Sequence, residues 1–291
     1  MPNTPPEFAA ADRSAATLIQ ALPYIRAFAG KTLVVKYGGN AMIDEDLKAA
    51  VMRDLVLMRL VGVNPILVHG GGPEINDAMR RLGMEPKFVA GRRVTDAETM
   101  DVVEMVLAGK TNKGIVAMLN REGAQAVGLC GKDANLFVAE KDTANGDLGY
   151  VGRIVGVHPE VIHTLTRAGY IPVVSTVAVG ADGQAYNINA DTAAAALAVA
   201  LDAEKLILMT DVEGLYRDFS DKSSLISELT AADARAMIRE GAVDKGMIPK
   251  LEACAAAVED GVPRAHIIDG RRPHALLIEI FTETGIGTMI R

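Results

Sequence analysis

Short, largely apolar runs alternate with stretches of helical periodicity along almost the whole chain, and this alternation constrains the fold more than any other feature. Thr32-Leu-Val-Val-Lys36, Pro65-Ile-Leu-Val-His69, Gln125-Ala-Val-Gly-Leu-Cys130, Ile171-Pro-Val-Val-Ser175, Lys205-Leu-Ile-Leu-Met209 and Ala265-His-Ile-Ile268 read as strands, with helical patterns such as 46–61 and 73–82 between them. Strands that are apolar on both faces belong in a parallel sheet covered by helices on each side. The expected fold class is therefore α/β, an open, mostly parallel central sheet sandwiched between helices. Glu140 to Arg153, rich in Asp, Asn, Gly and Thr, breaks the rhythm and reads as a hairpin excursion. No repeat or low-complexity linker marks a domain boundary, and a division into two lobes is expected near residue 200.

Composition narrows the partners. A net charge of −7 with 4% aromatic residues and no Trp argues against a nucleic-acid binder, which needs basic stripes and stacking rings. The start, Met1-Pro-Asn-Thr-Pro-Pro-Glu-Phe8, lacks a signal-peptide pattern, and no stretch approaches a membrane span, so a soluble cytoplasmic protein is expected. Cys130 and Cys254 cannot build a disulfide framework or a metal cluster, and their small apolar neighbours make core thiols the expectation. Residues 1–11 read as a loose tail. From Asp12 onward Leu18, Ile19, Leu22, Ile25 and Phe28 recur at helical spacing, with Pro23 expected to kink the helix they form.

Open parallel sheets bind ligands beyond the carboxyl ends of their strands, which directs attention to the turns there. Lys36-Tyr-Gly-Gly-Asn40 ends a strand with a lysine and paired glycines, a point charge beside close-approaching amides. The alternative is a plain turn with an exposed lysine. His69-Gly-Gly-Gly-Pro73 ends another strand and opens a helix with proline at its start, leaving unpaired amides aimed at an anion. His69 itself reads as a satisfied hydrogen-bonding residue. Gly91-Arg-Arg-Val-Thr95 offers arginines to an acidic substrate or to solvent. Asn187-Ile-Asn-Ala-Asp191 leads into an Ala-rich helix over 192–202, with Asp191 as cap or as one of three polar groups on one side of an extended segment. Thr210-Asp-Val-Glu-Gly214 is an ordinary turn, whereas Lys250 in Gly246-Met-Ile-Pro-Lys250 places a cation at a helix start, against the macrodipole unless an anion joins it. Ala108-Gly-Lys-Thr111 lacks the upstream glycine of a Walker loop and reads as a coincidence on a helix. Gly285-Ile-Gly lacks the third glycine of a dinucleotide fingerprint.

Lys-Tyr-Gly-Gly-Asn-Ala-Met, Val-His-Gly-Gly-Gly-Pro, Gly-x-Arg-Val-Thr, Asn-Ile-Asn-Ala-Asp and Gly-Met-Ile-Pro-Lys stand here in the order they have in the amino acid kinase family, which the chain resembles from Lys36 to its C-terminus. The resemblance implies transfer of the ATP γ-phosphoryl group to the side-chain carboxylate of N-acetyl-L-glutamate, the second step of arginine biosynthesis. It carries catalytic roles to Lys36 and Lys250, which stabilise the transferred group, and to Asp191, which positions both lysines. Gly71, Gly72, Arg93 and Asn187 fall at the acylamino-acid site, and Gly38, Gly39, Asp211, Gly214 and Leu215 on the phosphate and nucleotide side. Mg²⁺ would bind through the ATP phosphates, with no protein side chain as metal ligand. The extra N-terminal helix resembles that of arginine-inhibited members, where it interlaces dimers into a hexamer. Tyr24, His266, Glu279 and Gly285 then fall at the inhibitor site. On this basis 1–30 is a tail and oligomerisation helix, 31–200 a lobe for the acyl substrate and subunit contacts, and 201–291 a lobe for ATP. Asp244-Lys245 departs from the family, which often has a further glycine there. Sibling kinases of aspartate, glutamate, carbamate or uridylate, a non-catalytic amino-acid sensor, and an added nitrogen-signalling protein partner are the alternatives.

Overall fold

A computed structural model describes residues 6–42, 44–89, 91–144, 146–283 and 285–291. Its centre is an eight-stranded sheet in the order Glu228–Leu229, Thr288–Ile290, Ala265–Asp269, Lys205–Thr210, Thr32–Tyr37, Asn64–His69, Ile171–Ser175, Ala126–Cys130. The last six run parallel to one another; Thr288–Ile290 pairs antiparallel to Ala265–Asp269, and Glu228–Leu229 beyond it forms the edge. Thr32–Tyr37 lies beside Lys205–Thr210, with Lys36 opposite Leu208, so one continuous sheet crosses residue 200.

Side-chain alternation along each strand splits the core in two. Val34, Ile66, Val68, Val174, Leu206 and Leu208 face the helices Ala190–Ala200 and Ile248–Glu259. Leu33, Val35, Leu67, Val173, Ile207 and Met209 face Glu45–Leu60, Asn112–Arg121 and Ala275–Phe281. Lys36 continues the first row and His69 the second, which decides what each can reach. Helices Ala190–Ala200 and Ile248–Glu259 pack against each other, and both are rich in buried small residues, among them Ala193, Ala194, Ala195, Ala198, Ala253, Ala255 and Ala257.

The 140–153 excursion is the turn of a hairpin whose strands, Phe137–Lys141 and Gly152–Val157, extend beyond it. They form a second, four-stranded sheet with Val177–Val179 and Ala185–Asn187, short strands without a sequence period long enough to read. The expected tail is corrected at its inner end: the first helix is Pro6–Phe28, with residues 6–11 helical and 1–5 outside the described residues. Proline in a first helical turn loses no bond, and the alanines that follow favour helix. The helix is continuous through Pro23; Phe28 is buried while Leu18, Ile19 and Leu22 are exposed. Cys254 is buried as expected, but Cys130 is only half-buried. No described helix is long and apolar enough to cross a membrane.

Candidate active site

Two strand ends meet here. Thr32–Tyr37 delivers Lys36, whose ammonium folds back over Gly38: a Cβ there would lie 2.7 Å from Nζ. At Gly39 the backbone turns with φ +71°, and any side chain would collide with the Asp211 carboxylate, which reaches over from the end of Lys205–Thr210. Gly39 needs glycine to make the turn, whereas a side chain at Gly38 would have to displace the end of Lys36. Asp211 thus sits against the lysine-glycine turn.

Asp191 is the centre of charge. The cap of Ala190–Ala200 is Asn189, whose side chain accepts from the amides of Asp191 and Thr192, and this corrects the sequence expectation in two ways. The helix starts two residues earlier, and Asp191, relieved of capping, projects from its first turn. Its Oδ1 lies 3.0 Å from Lys36 Nζ and its Oδ2 3.5 Å from Lys250 Nζ. Oδ1 is within ion-pair range but off the hydrogen-bonding direction. Asp191 is only 4% exposed. Burial pushes its pKa up, but the two ammonium groups outweigh burial and hold the carboxyl below its usual range. Lys250 stands in the first turn of Ile248–Glu259, a helix start without a side-chain cap. Its positive charge there leaves the position electrostatically suited to an anion.

Arg93 is buried at 7% exposure, and its partners among the described residues are neutral. Nη2 donates to Asn76 Oδ1 at 2.7 Å and to the Gly72 carbonyl at 3.2 Å, Nη1 contacts Met79 Sδ, and the guanidinium lies over the Phe88 ring. Burial lowers its pKa. A desolvated guanidinium without a carboxylate partner is a receptor for one. It lines a cavity of about 300 Å³ with Gly71, Gly72 and Asn187, so all four residues assigned to the acyl substrate stand around one space. Asn187 donates to Thr95 Oγ1, which donates in turn to the Arg93 carbonyl, tying the two recognition segments together. His69 lies outside this space. Its Nδ1 bonds the Gly70 carbonyl, its Nε2 faces the Asn112 amide, and burial pulls its pKa down to about 4, so it is a neutral brace. Replacing Arg93 by Lys keeps the charge but loses the fork. It is expected to raise KM for the acyl substrate at least tenfold while kcat changes little, and a parallel fall in kcat in steady-state assays would assign Arg93 to the transferred group instead.

A second cavity, of about 780 Å³, contains Gly214, Leu215, Val212, Val243, Met247 and Lys250. Between the two runs a cleft of about 830 Å³ that holds Asp191. It shares Gly91, Arg92, Asn189 and Thr192 with the smaller cavity and Lys245, Gly246 and Lys250 with the larger. The arrangement is a small anion receptor and a large slot joined through a carboxylate flanked by two ammonium groups. Asp244 and Lys245, the departure from the family pattern, form the turn into Ile248–Glu259, with Met247 and Ile248 donating to the Asp244 carbonyl. Ala108–Thr111 lies in a π-helical segment, Met105–Thr111, whose Leu107 packs against Gly71.

Tyr24, His266, Glu279 and Gly285 line a separate cavity of about 910 Å³ beneath the first helix. His266 Nδ1 lies 2.7 Å from Glu279 Oε1, and Glu279 Oε2 accepts from the Ile286 amide. Burial lowers the His266 pKa against the pull of Glu279, so the ring is neutral, with Nδ1–H donating and Nε2 left as a buried acceptor without a partner among the described residues. Sequence reasoning missed Asn76 and Phe88, and gave Thr95, inside the Gly91–Thr95 motif, no role of its own. Asn76 and Phe88 carry no motif, and only the fold places them under Arg93.

The amino acid kinase family profile matches residues 31–269. A protein of Thermoanaerobacter pseudethanolicus named acetylglutamate kinase is 60% identical over 276 residues, covering 95% of this chain and 92% of that one. One of Acaryochloris marina with the same name is 56% identical, covering 97% and 99%. Among solved structures, N-acetylglutamate synthase from Neisseria gonorrhoeae, complexed with coenzyme A and N-acetyl-glutamate, superposes with a TM-score of 0.83 at 27% identity. The match covers 95% of this chain and 63% of that longer one. Giardia carbamate kinase, at 19% identity and a TM-score of 0.64, shares the fold over 90% of this chain and 99% of its own.

Proposed function

The chain belongs to the amino acid kinase family, and from that premise we propose that it is an acetylglutamate kinase. It transfers the γ-phosphoryl group of ATP to the side-chain carboxylate of N-acetyl-L-glutamate, giving N-acetyl-L-glutamyl 5-phosphate and ADP, the second step of arginine biosynthesis. The observation that carries this reading is Asp191 between Lys36 and Lys250, in the cleft that joins a small arginine-lined cavity to a large slot.

The acceptor carboxylate, with an ordinary pKa near 4.3, is ionised at neutral pH, so no general base is needed. A carboxylate oxygen attacks the γ-phosphorus and the bond to the β–γ bridging oxygen breaks. The difficulty is to bring two anions into line and to neutralise the moving group. Lys36 does so from the strand end, Lys250 from the nucleotide side, and Asp191 fixes the distance between them. Backbone amides of Gly38, Gly39 and Gly71 face the phosphoryl oxygens, and Arg93 takes the substrate's α-carboxylate. Both oxygens of Asp191 face ammonium groups, which leaves this carboxylate unavailable as a metal ligand; Mg²⁺ would be held through the ATP phosphates and would supply further neutralisation.

We extend the proposal to feedback inhibition by arginine in the cavity under the first helix. A neutral His266 Nε2 acceptor, the Glu279 carboxylate and the aromatic Tyr24 suit a guanidinium. Exposed Leu18, Ile19 and Leu22 suit the same helix to pairing with a neighbouring subunit in a hexamer built from dimers. The test is coupled ADP release with ATP, Mg²⁺ and N-acetyl-L-glutamate, with aspartate and glutamate as control acceptors, and with or without arginine. Turnover confined to the acetylated acceptor and suppressed by arginine is the expected result. Turnover with free aspartate or glutamate would make the chain a sibling kinase; binding of both substrates without turnover would make it a sensor. Turnover indifferent to arginine would remove the inhibition alone.

A further inference from the structure

The 780 Å³ slot has two chemically different ends. Lys245, Gly246 and Lys250 also line the cleft that holds Asp191, so they mark the end where phosphoryl groups meet the acceptor. Tyr216 and Phe219 line the slot but not the cleft. Their rings pack edge to face, with centroids 5.6 Å apart and planes at 85°. Tyr216 is buried, whereas Phe219 is 53% exposed, and it differs from the exposed Leu18, Ile19 and Leu22 in lining a cavity. Lys222 Nζ lies 4.4 Å from the Tyr216 centroid and 4.3 Å from that of Phe219, and is drawn there by Glu213 at 3.5 Å. A cation shared by two ring faces holds both rings in place before anything binds. Leu225–Ile226 pairs with Leu215–Tyr216, and Thr288 Oγ1 accepts from the Leu215 amide and donates to the Ile226 carbonyl, so the segment bearing the aromatic pair is anchored at its base.

We infer that Phe219, set in place by Tyr216 and Lys222, is the stacking platform for the nucleobase of the phosphoryl donor. The inference rests on reading the slot as the nucleotide site and adds a base-binding residue to it. A planar heterocycle between Phe219 and the apolar wall of Val212, Leu215 and Met247 buries a ring face that is otherwise in water. The phosphates then extend toward Lys250. Stacking accepts any base with a π face, so the platform sets affinity rather than a strict choice of base.

The experiment compares the wild type with Phe219→Ala and Phe219→Tyr. Phe219→Ala is expected to raise KM for ATP about tenfold, with kcat and KM for the acyl substrate unchanged, and Phe219→Tyr is expected to restore the wild-type value. Melting temperature should stay constant, since the side chain is half exposed. Competition by ribose 5-triphosphate, which lacks a base, should be equally strong against the wild type and Phe219→Ala. An unchanged KM for ATP, or equal weakening of ATP and ribose 5-triphosphate, would overturn the platform. Failure of the wild type to bind ATP at all would instead remove the reading of the slot.

Discussion

Replacing Lys36 by Ala is expected to lower kcat by about 10²–10³ while ATP binds almost as tightly as before. The ammonium lies over Gly38 and against Asp191, and Lys36 itself does not line the slot proposed for the nucleotide. Its charge meets substrate where charge develops during transfer, so its loss falls on the transition state. Single-turnover kinetics with a nucleotide titration separate the two quantities. Equal losses in kcat and ATP affinity would reduce Lys36 to a binding residue.

Asp191→Asn is expected to damage both rate and fold. Without the carboxylate, Lys36 and Lys250 face each other across a largely buried gap, and kcat is expected to fall at least about 10²-fold. Removing one partner of a buried ion pair costs about 3–5 kcal/mol. The lower end applies here, because the two lysine side chains are 11% and 21% exposed and can turn outward. A fall of roughly 5–10 °C in Tm follows for a chain of this size. The pH dependence has a definite sign. The two lysines hold the folded pKa of Asp191 below its unfolded value, so its contribution is present above pH about 4 and is lost as pH falls further through the folded value. The Tm deficit of Asp191→Asn should therefore shrink in strong acid, and a deficit independent of pH would mean that the loss comes from packing.

The six parallel strands were legible because each is an apolar run of five or six residues, long enough to distinguish from its surroundings. Val177–Val179, Ala185–Asn187 and the two short edge strands were not, since two or three residues carry no period and their partners are far along the chain. At the site, the convergence of Lys36, Asp191 and Lys250 was expected from the family resemblance alone; read residue by residue, their segments gave no sign of it. Asp191 read as a cap because Asp commonly is one. Only the geometry shows Asn189 taking that task and freeing Asp191. Arg93 was legible as a residue able to bind an acid, yet its neutral cradle of Asn76, Met79 and Phe88, which leaves its charge to a ligand, depends on contacts between separate elements.

The alanine-lined seam between Ala190–Ala200 and Ile248–Glu259 has a consequence for genetics. Asp191 and Lys250 begin these two helices, and at 3.5 Å their contact has little slack. Ala195 and Ala253 are buried and line the same cleft as Asp191 and Lys250, so a larger residue at either is expected to push the backbones apart and draw the two charges out of reach of each other. In a screen for growth without supplied arginine, such alleles would fall with the catalytic lesions although no reacting atom had been touched, and volume rather than polarity would rank them.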